Sequence, residues 1–217
     1  MKYRKYLIFL TVLAFLTLSF SHVASAQLAS RPAEDWVKTL DADSRVSGLK
    51  IEEIVSNLKL KHGQNIADIG AGSGLFEVPL AKAVTPGGKV FAVDIDAGLF
   101  PEIMRKAQQG HVNNVQTVLG KFTDPNLPAK NIDLVFFHDV LHHIEDRAGY
   151  LKTVAGYLKT SGRIVVIDFE PEHSPHKDHP DLVVSREQLA TWAAGAGLKQ
   201  VDDIKIFSDK YFLVYSK

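Results

Sequence analysis

Residues Ile66 to Gly74 read I-A-D-I-G-A-G-S-G. Apolar residues and one acid, Asp68, lead into glycines at alternate positions, Gly70, Gly72 and Gly74. Beyond them Leu75, Phe76, Val78, Leu80 and Ala81 open a helical pattern. A strand, a tight glycine turn and a helix start bring a nucleotide-like ligand against bare backbone, because a Cβ would block its approach and the turn favours positive φ. Free N–H groups of the first helical turn then face the ligand. The spacing separates two ligand classes. A dinucleotide turn reads G-x-G-x-x-G and seats a pyrophosphate on the helix N-terminus. Here the spacing is G-x-G-x-G, and Leu75 stands where the third glycine belongs. Asp68, two residues before Gly70, would repel a diphosphate and suits a cation.

The stretch D-I-G-A-G-S-G resembles motif I of the class I S-adenosylmethionine-dependent methyltransferases. That resemblance implies S-adenosylmethionine as cofactor, with Asp68, Gly70, Ala71, Gly72 and Gly74 around its amino-acid end. Lys89 to Asp94, K-V-F-A-V-D, reads as a buried parallel strand ending in an acid. Asp94 at its tip is placed to accept hydrogen bonds from ribose hydroxyls, with Ile95 beside it, a task common to dinucleotide and S-adenosylmethionine sites. Many relatives carry an acid after the glycine that follows the third strand. Here Gly120 is followed by Lys121, which leaves Phe122 to flank the adenine and Asp124 as a substitute acid.

The remaining elements follow in the family's order. Helical periodicity runs from Ala33 to Leu58, with Trp36 and Arg45 as lid candidates over the cleft. Strands are expected at Asn65–Ile69, Lys89–Asp94, Val115–Leu119, Ile132–Phe137, Arg163–Phe169, Val201–Phe207 and Tyr211–Tyr215. Helices are expected at Asp96 to about Gly110, with Asp96 as N-cap, at Leu151–Leu158, and at Glu187–Ala196 after an N-cap at Ser185. Lys159-Thr160-Ser161-Gly162 reads as a turn. The resemblance spans residue 60 to the C-terminus. It implies a Rossmann-like α/β fold with a mostly parallel seven-stranded sheet, an antiparallel last strand and helices on both faces.

After the fourth strand, His138-Asp139-Val140-Leu141-His142-His143 resembles the D-V-L-H-H stretch of small-molecule methyltransferases. Six of the nine histidines fall between His138 and His179. His138 or His142, with Asp139, could serve as a general base, since histidine titrates near neutrality. His173, His176 and His179, with Asp178 or Asp139, offer ligand types for zinc or nickel. The same residues also suit polar loops, and no metal site is assigned. Methyl transfer itself needs little from side chains, because the sulfonium is already activated.

The chain has 217 residues, enough for one core. Lys plus Arg equals Asp plus Glu at 25 each, so charge gives no argument for nucleic acid. Cys is 0, which excludes thiol nucleophiles, Cys-ligated zinc and iron–sulfur clusters, and with them radical chemistry. Lys2, Arg4 and Lys5 precede an apolar run from Leu7 to Phe20, and Ala24-Ser25-Ala26 follows. This reads as a secretory signal at 1–26, or, if uncleaved, as a membrane anchor. The organisation is thus a leader at 1–26, a helical cap at 27–59 and a cofactor-binding domain at 60–217. The expected activity is methylation of a small-molecule acceptor by an exported enzyme. An exported non-catalytic ligand- or metal-binding protein on the same fold is the alternative, and a nicotinamide oxidoreductase is disfavoured by Leu75 and Asp68. Nothing in the sequence sets the oligomeric state.

Overall fold

The computed structural model describes residues 31–217. The leader at 1–26 and the first residues of the cap, 27–30, lie outside the described residues. Among the described residues there are seven strands: β1 (Asn65–Ile69), β2 (Lys89–Asp94), β3 (Val115–Leu119), β4 (Ile132–His138), β5 (Leu158–Phe169), β6 (Lys199–Asp203) and β7 (Lys210–Ser216). They form one sheet in the order β3-β2-β1-β4-β5-β7-β6. Pairing is parallel from β3 through β5, and β7 runs antiparallel to both β5 and β6. The Rossmann-like sheet with a reversed last strand is therefore as expected.

Alternation along the strands divides the core in two. Leu134 and Phe136 pack with Ile66 and Val90 on one face, while Val135 and Phe137 pack with Ala67 and Phe91 on the other. Both faces of a parallel sheet must be covered, and the helices do this. Ile54, Leu80 and Ile103 cover the first face, from α3 (Ile51–Asn57), α4 (Glu77–Val84) and α5 (Phe100–Gln109). Leu151 and Val154 of α6 (Arg147–Ala155), with Leu189 of α7 (Arg186–Gly195), cover the second.

Two further helices precede these, α1 (Ala33–Leu40) and α2 (Asp43–Val46). The continuous helical pattern read from Ala33 to Leu58 is thus three helices, and Lys50 turns into the third with φ of 52°. Ile54 and Leu58 are buried in the main core, so the end of the expected cap packs as part of the domain. Ala33–Lys217 forms one compact unit.

Several boundaries differ from the sequence reading. β5 begins at Leu158, paired with Ile132, and the next partners are Arg163 and Leu134. Lys159–Gly162 is therefore an extended bulge rather than a turn, held where Lys159 meets Asp133 at 2.8 Å. β6 ends at Asp203; the Ile204 N–H donates once more to the Phe212 carbonyl at 2.9 Å, and Ile206 and Phe207 then pack against the core instead of continuing the ladder. α4 starts at Glu77, after the glycine turn, and α6 starts at Arg147, where Asp146 accepts from the Gly149 N–H at 2.9 Å. Ser185 caps α7 as expected and forms a capping box with Gln188, whereas Asp96 caps the 3-10 turn Ala97–Leu99 that leads into α5.

The strand order reverses between β1 and β4, with β2 and β3 on one side and β5 onward on the other. The crevice beyond the carboxyl ends of β1 and β4 is the switch point where ligands bind in such sheets.

Candidate active site

The turn after β1 is strapped to the end of β2. The Gly70 and Ala71 N–H groups donate to the Val93 carbonyl at 2.8 and 3.0 Å, and the Gly72 N–H donates to Asp94 Oδ2 at 2.9 Å. Gly70, Gly72 and Gly74 have φ of 73°, 56° and 82°. A Cβ on Gly70 would stand 2.3 Å from Val140 Cγ2, and one on Gly74 would stand 3.1 Å from the Ile103 Cα. Glycine is required here for packing of the strand-four segment and of α5 as well as for ligand approach.

Three acids surround this turn. Asp68 is buried at the end of β1, and Glu77, in the first turn of α4, is wholly buried. Neither Glu77 carboxylate oxygen has a hydrogen-bond partner among the described residues. Burial first, and then the negative charge of Glu77, push Asp68 well above the usual carboxylate range. Burial raises Glu77 to about 7, with Lys106 pulling the other way. Asp94 is raised by burial, while the N–H groups of Asp96 and Gly72 oppose the rise. Its oxygens accept those two N–H groups at 3.0 and 2.9 Å, and each keeps a second lone pair.

A cleft of about 340 Å³ opens over the turn. Asp68, Gly70, Ala71, Gly72, Phe76 and His138 line it, joined by Leu40 and Arg45. Arg45 therefore reaches the cleft as a lid residue would, whereas Leu40 takes the place expected for Trp36. The segment between α1 and α2 is fastened to the turn through Asp41, which accepts from Ser73 Oγ at 2.6 Å and from Lys106 Nζ at 2.7 Å. Gly74, Asp94, Ile95, Phe122, Asp139 and His142 are not among the lining residues. Phe122 is 55% exposed beyond β3, and Ile95 is half-buried. Asp124 does not present a free acid, since its carboxylate accepts from Tyr157 Oη at 2.9 Å and from the Asn126 N–H at 2.7 Å.

Residues 67–166 match a family model described as a methyltransferase domain. Over this stretch the chain is similar to the methyltransferase family. An uncharacterised 37.1 kDa transposon protein of Streptomyces fradiae is 30% identical over 70% of this chain and 42% of its own length. Aklanonic acid methyltransferase of Streptomyces sp. (strain C5) is 27% identical over 57% of this chain and 66% of its own length. The chain thus spans less than two thirds of these curated relatives. A solved S-adenosylmethionine-dependent methyltransferase from Aquifex aeolicus shares the fold with a TM-score of 0.75 and 22% identity, covering 86% of this chain and 98% of that one.

The domain separates its expected catalytic residues into three settings. His138 lines the cleft, packed 5.0 Å from the Phe76 ring, and its buried Nε2 has no partner among the described residues. Burial lowers its pKa to about 4, so the side chain is neutral at pH 7 but too weakly basic for the general base read from its unperturbed titration. Asp139 has φ of 53° and is gripped by Lys210 of β7 at 2.6 Å. Burial would raise it, but His138 and Lys210 outweigh burial and hold it below its usual range. The geometry gives Asp139 a structural task, tying the end of β4 to β7, in place of a catalytic one.

His142 is buried, and its Nδ1 lies 2.7 Å from Asp168 Oδ1 at the tip of β5. Donation from Nδ1 to this carboxylate leaves Nε2 with a lone pair. His143 and His176 stand beside it, with ring centroids 4.1 and 5.2 Å from that of His142. Burial pushes His143 down to about 4 and lowers His176. His173 and His179 do not join this group, so the H-x-x-H-x-x-H run is not a ligand set. Sequence reasoning missed Glu77, Asp168 and the pairing of His143 with His176. An acid closing the fifth strand, I-V-V-I-D, was a usable signal for Asp168, whereas Glu77 on an apolar helix carried none.

Proposed function

We propose that this chain transfers a methyl group from S-adenosylmethionine to a small-molecule acceptor. The observation that carries the reading is the buried Asp68 and Glu77 carboxyl pair at the G-x-G-x-G turn, a setting made for a cation. The donor set fits the cofactor in each part. Asp68 would hold the ammonium, the backbone of Gly70, Ala71 and Gly72 would border the amino-acid end, and Asp94 would accept the ribose hydroxyls. Phe122 is the aromatic surface offered to the adenine. When bound, the cofactor supplies a methyl group already activated by its sulfonium.

The chain's own contribution is then positional. His138 forms a neutral wall of the cleft, and Leu40 and Arg45 shield it from water. Holding two reactants in a near-attack pose is worth ~7–11 kcal/mol of barrier, which removes the need for a strong base. The relative named for aklanonic acid supports a small-molecule acceptor. Equilibrium dialysis with radiolabelled S-adenosylmethionine tests the reading. Retention by the wild-type chain and loss in Gly70→Arg are expected, and equal retention by both would refute the placement of the site.

We also propose that the chain is exported, on the strength of the basic, apolar and small-residue order at 1–26. No helix of the described residues is long and apolar enough to cross a membrane. Cell fractionation with mass spectrometry of the N-terminus decides it. A chain beginning at Gln27 outside the cytoplasm is expected, and an intact leader on a cytoplasmic chain would overturn the proposal.

A further inference from the structure

We propose that His142, His143 and His176 form a binding site for one divalent transition ion of the zinc class. One ring nitrogen from each residue lies within 4.8 Å of the others. His142 and His143 are adjacent in the single 3-10 turn Leu141–His143 after β4, while His176 comes from the loop after β5. The site is therefore assembled by the sheet, which brings the carboxyl ends of two neighbouring strands together.

The hydrogen bonding around the trio is that of a ligand set. Asp168 holds Nδ1 of His142 at 2.7 Å and also accepts the His142 backbone N–H at 3.3 Å, which fixes the ring and points the tautomer at Nε2. A carboxylate behind a ligating histidine is the common outer partner of metal sites, setting ring orientation and raising ligand basicity. The rings of His143 and His176 have no hydrogen-bond partner among the described residues, although both are half-buried. Their centroids lie 5.5 Å apart. The unpartnered rings of His143 and His176 and the Nε2 of His142, left free by the bond from Nδ1 to Asp168, offer their lone pairs to a shared cation.

The ligand type selects the ion. Imidazole nitrogen suits zinc, copper, nickel and cobalt, and disfavours magnesium and calcium, which take oxygen. Zn–N bonds of about 2.05 Å in a tetrahedron place nitrogens about 3.3 Å apart, so the nitrogens close in by up to about 1.5 Å on binding. His142 is the fixed member, held by Asp168. Arg147 donates to the carbonyls of His142 and Asp181 at 2.5 Å, which fastens the His176 loop to the 3-10 turn. Its positive charge is offset by Asp168. Three protein ligands leave a fourth position for water or an exogenous donor, the pattern of an open zinc site.

The test is titration of the full chain, purified without a histidine tag, with zinc against a chromophoric chelator, and separately with cobalt(II) read by visible absorption. One equivalent of metal per chain is expected. His143→Ala and His176→Ala should each weaken binding at least about tenfold, and Asp168→Asn by about 10–100-fold. His179→Ala should leave it unchanged. Thermal melting of each variant checks the fold, and if Asp168→Asn fails to fold, the two half-exposed histidine variants decide. No stoichiometric binding at micromolar free metal overturns the proposal, as does equal affinity in both histidine variants and the wild type. Binding of S-adenosylmethionine is scored on the same samples, so failure of the metal site and failure of the methyltransferase reading are distinguishable.

Discussion

Replacing Glu77 by glutamine should remove a pH dependence of stability that the wild-type chain carries. Glu77 is wholly buried against Asp68 and titrates at about 7, raised from 4.5 by burial. In the unfolded chain the same group loses its proton near pH 4.3. Between these values the folded state binds a proton that the unfolded state has lost, so raising the pH lowers the free energy of unfolding. The stabilisation is complete below about pH 4.5 and is lost as the pH rises through 7. A displacement of about 2.5 units at ~1.36 kcal/mol per unit gives about 3 kcal/mol. Glutamine has nearly the same volume and cannot titrate. Urea unfolding followed by circular dichroism at pH 5, 6, 7 and 8 compares the two proteins, with titrations away from the Asp68 pair cancelling. Wild type should lose about 2.5 kcal/mol relative to Glu77→Gln across that range. Parallel stability curves with a constant offset would refute the assignment of a buried, proton-holding carboxyl pair.

The same pair links cofactor binding to protons. A cation beside Asp68 favours the ionised carboxyl, so affinity for S-adenosylmethionine should rise with pH through about 7 and protons should be released. Calorimetry in buffers of different ionisation enthalpy measures that release, and proton uptake would contradict it. Lys210→Ala should destabilise the fold by about 3–5 kcal/mol, because it leaves Asp139 charged, mostly buried and without its ion pair. Asp139→Asn in the same chain should recover much of that loss, since asparagine tolerates the left-handed backbone at this position. Chemical denaturation reads both changes.

The sheet was legible because its strands are continuous apolar runs bounded by glycine, proline and acids. K-V-F-A-V-D and V-Q-T-V-L end where their hydrogen bonding ends, and both are bordered by turn residues. β6 was misread for a physical reason. Ile206 and Phe207 have a strand's composition, but they pack against the core face, and composition alone does not distinguish pairing from packing. Lys159–Gly162 has turn chemistry, yet the ion pair of Lys159 with Asp133 draws it out as a bulge. At the site, the turn formed by Gly70, Gly72 and Gly74 was readable because its conformation depends on local backbone. His138 was named correctly as a cleft residue, but its base strength was not readable, since burial among Phe76 and Phe136 sets it. Asp139 looked catalytic from its neighbours until β7 brought Lys210 against it from 71 residues away. Long-range partners of this kind, Asp168 behind His142 among them, leave no periodic mark in a single sequence.

The central claim is that the cleft over the glycine turn takes S-adenosylmethionine. Calorimetric titration of the chain with S-adenosylmethionine and, separately, with NAD tests it most directly. The account predicts saturable binding of S-adenosylmethionine at micromolar concentration, one per chain, and none of NAD. Binding of NAD instead, or of neither, would contradict it.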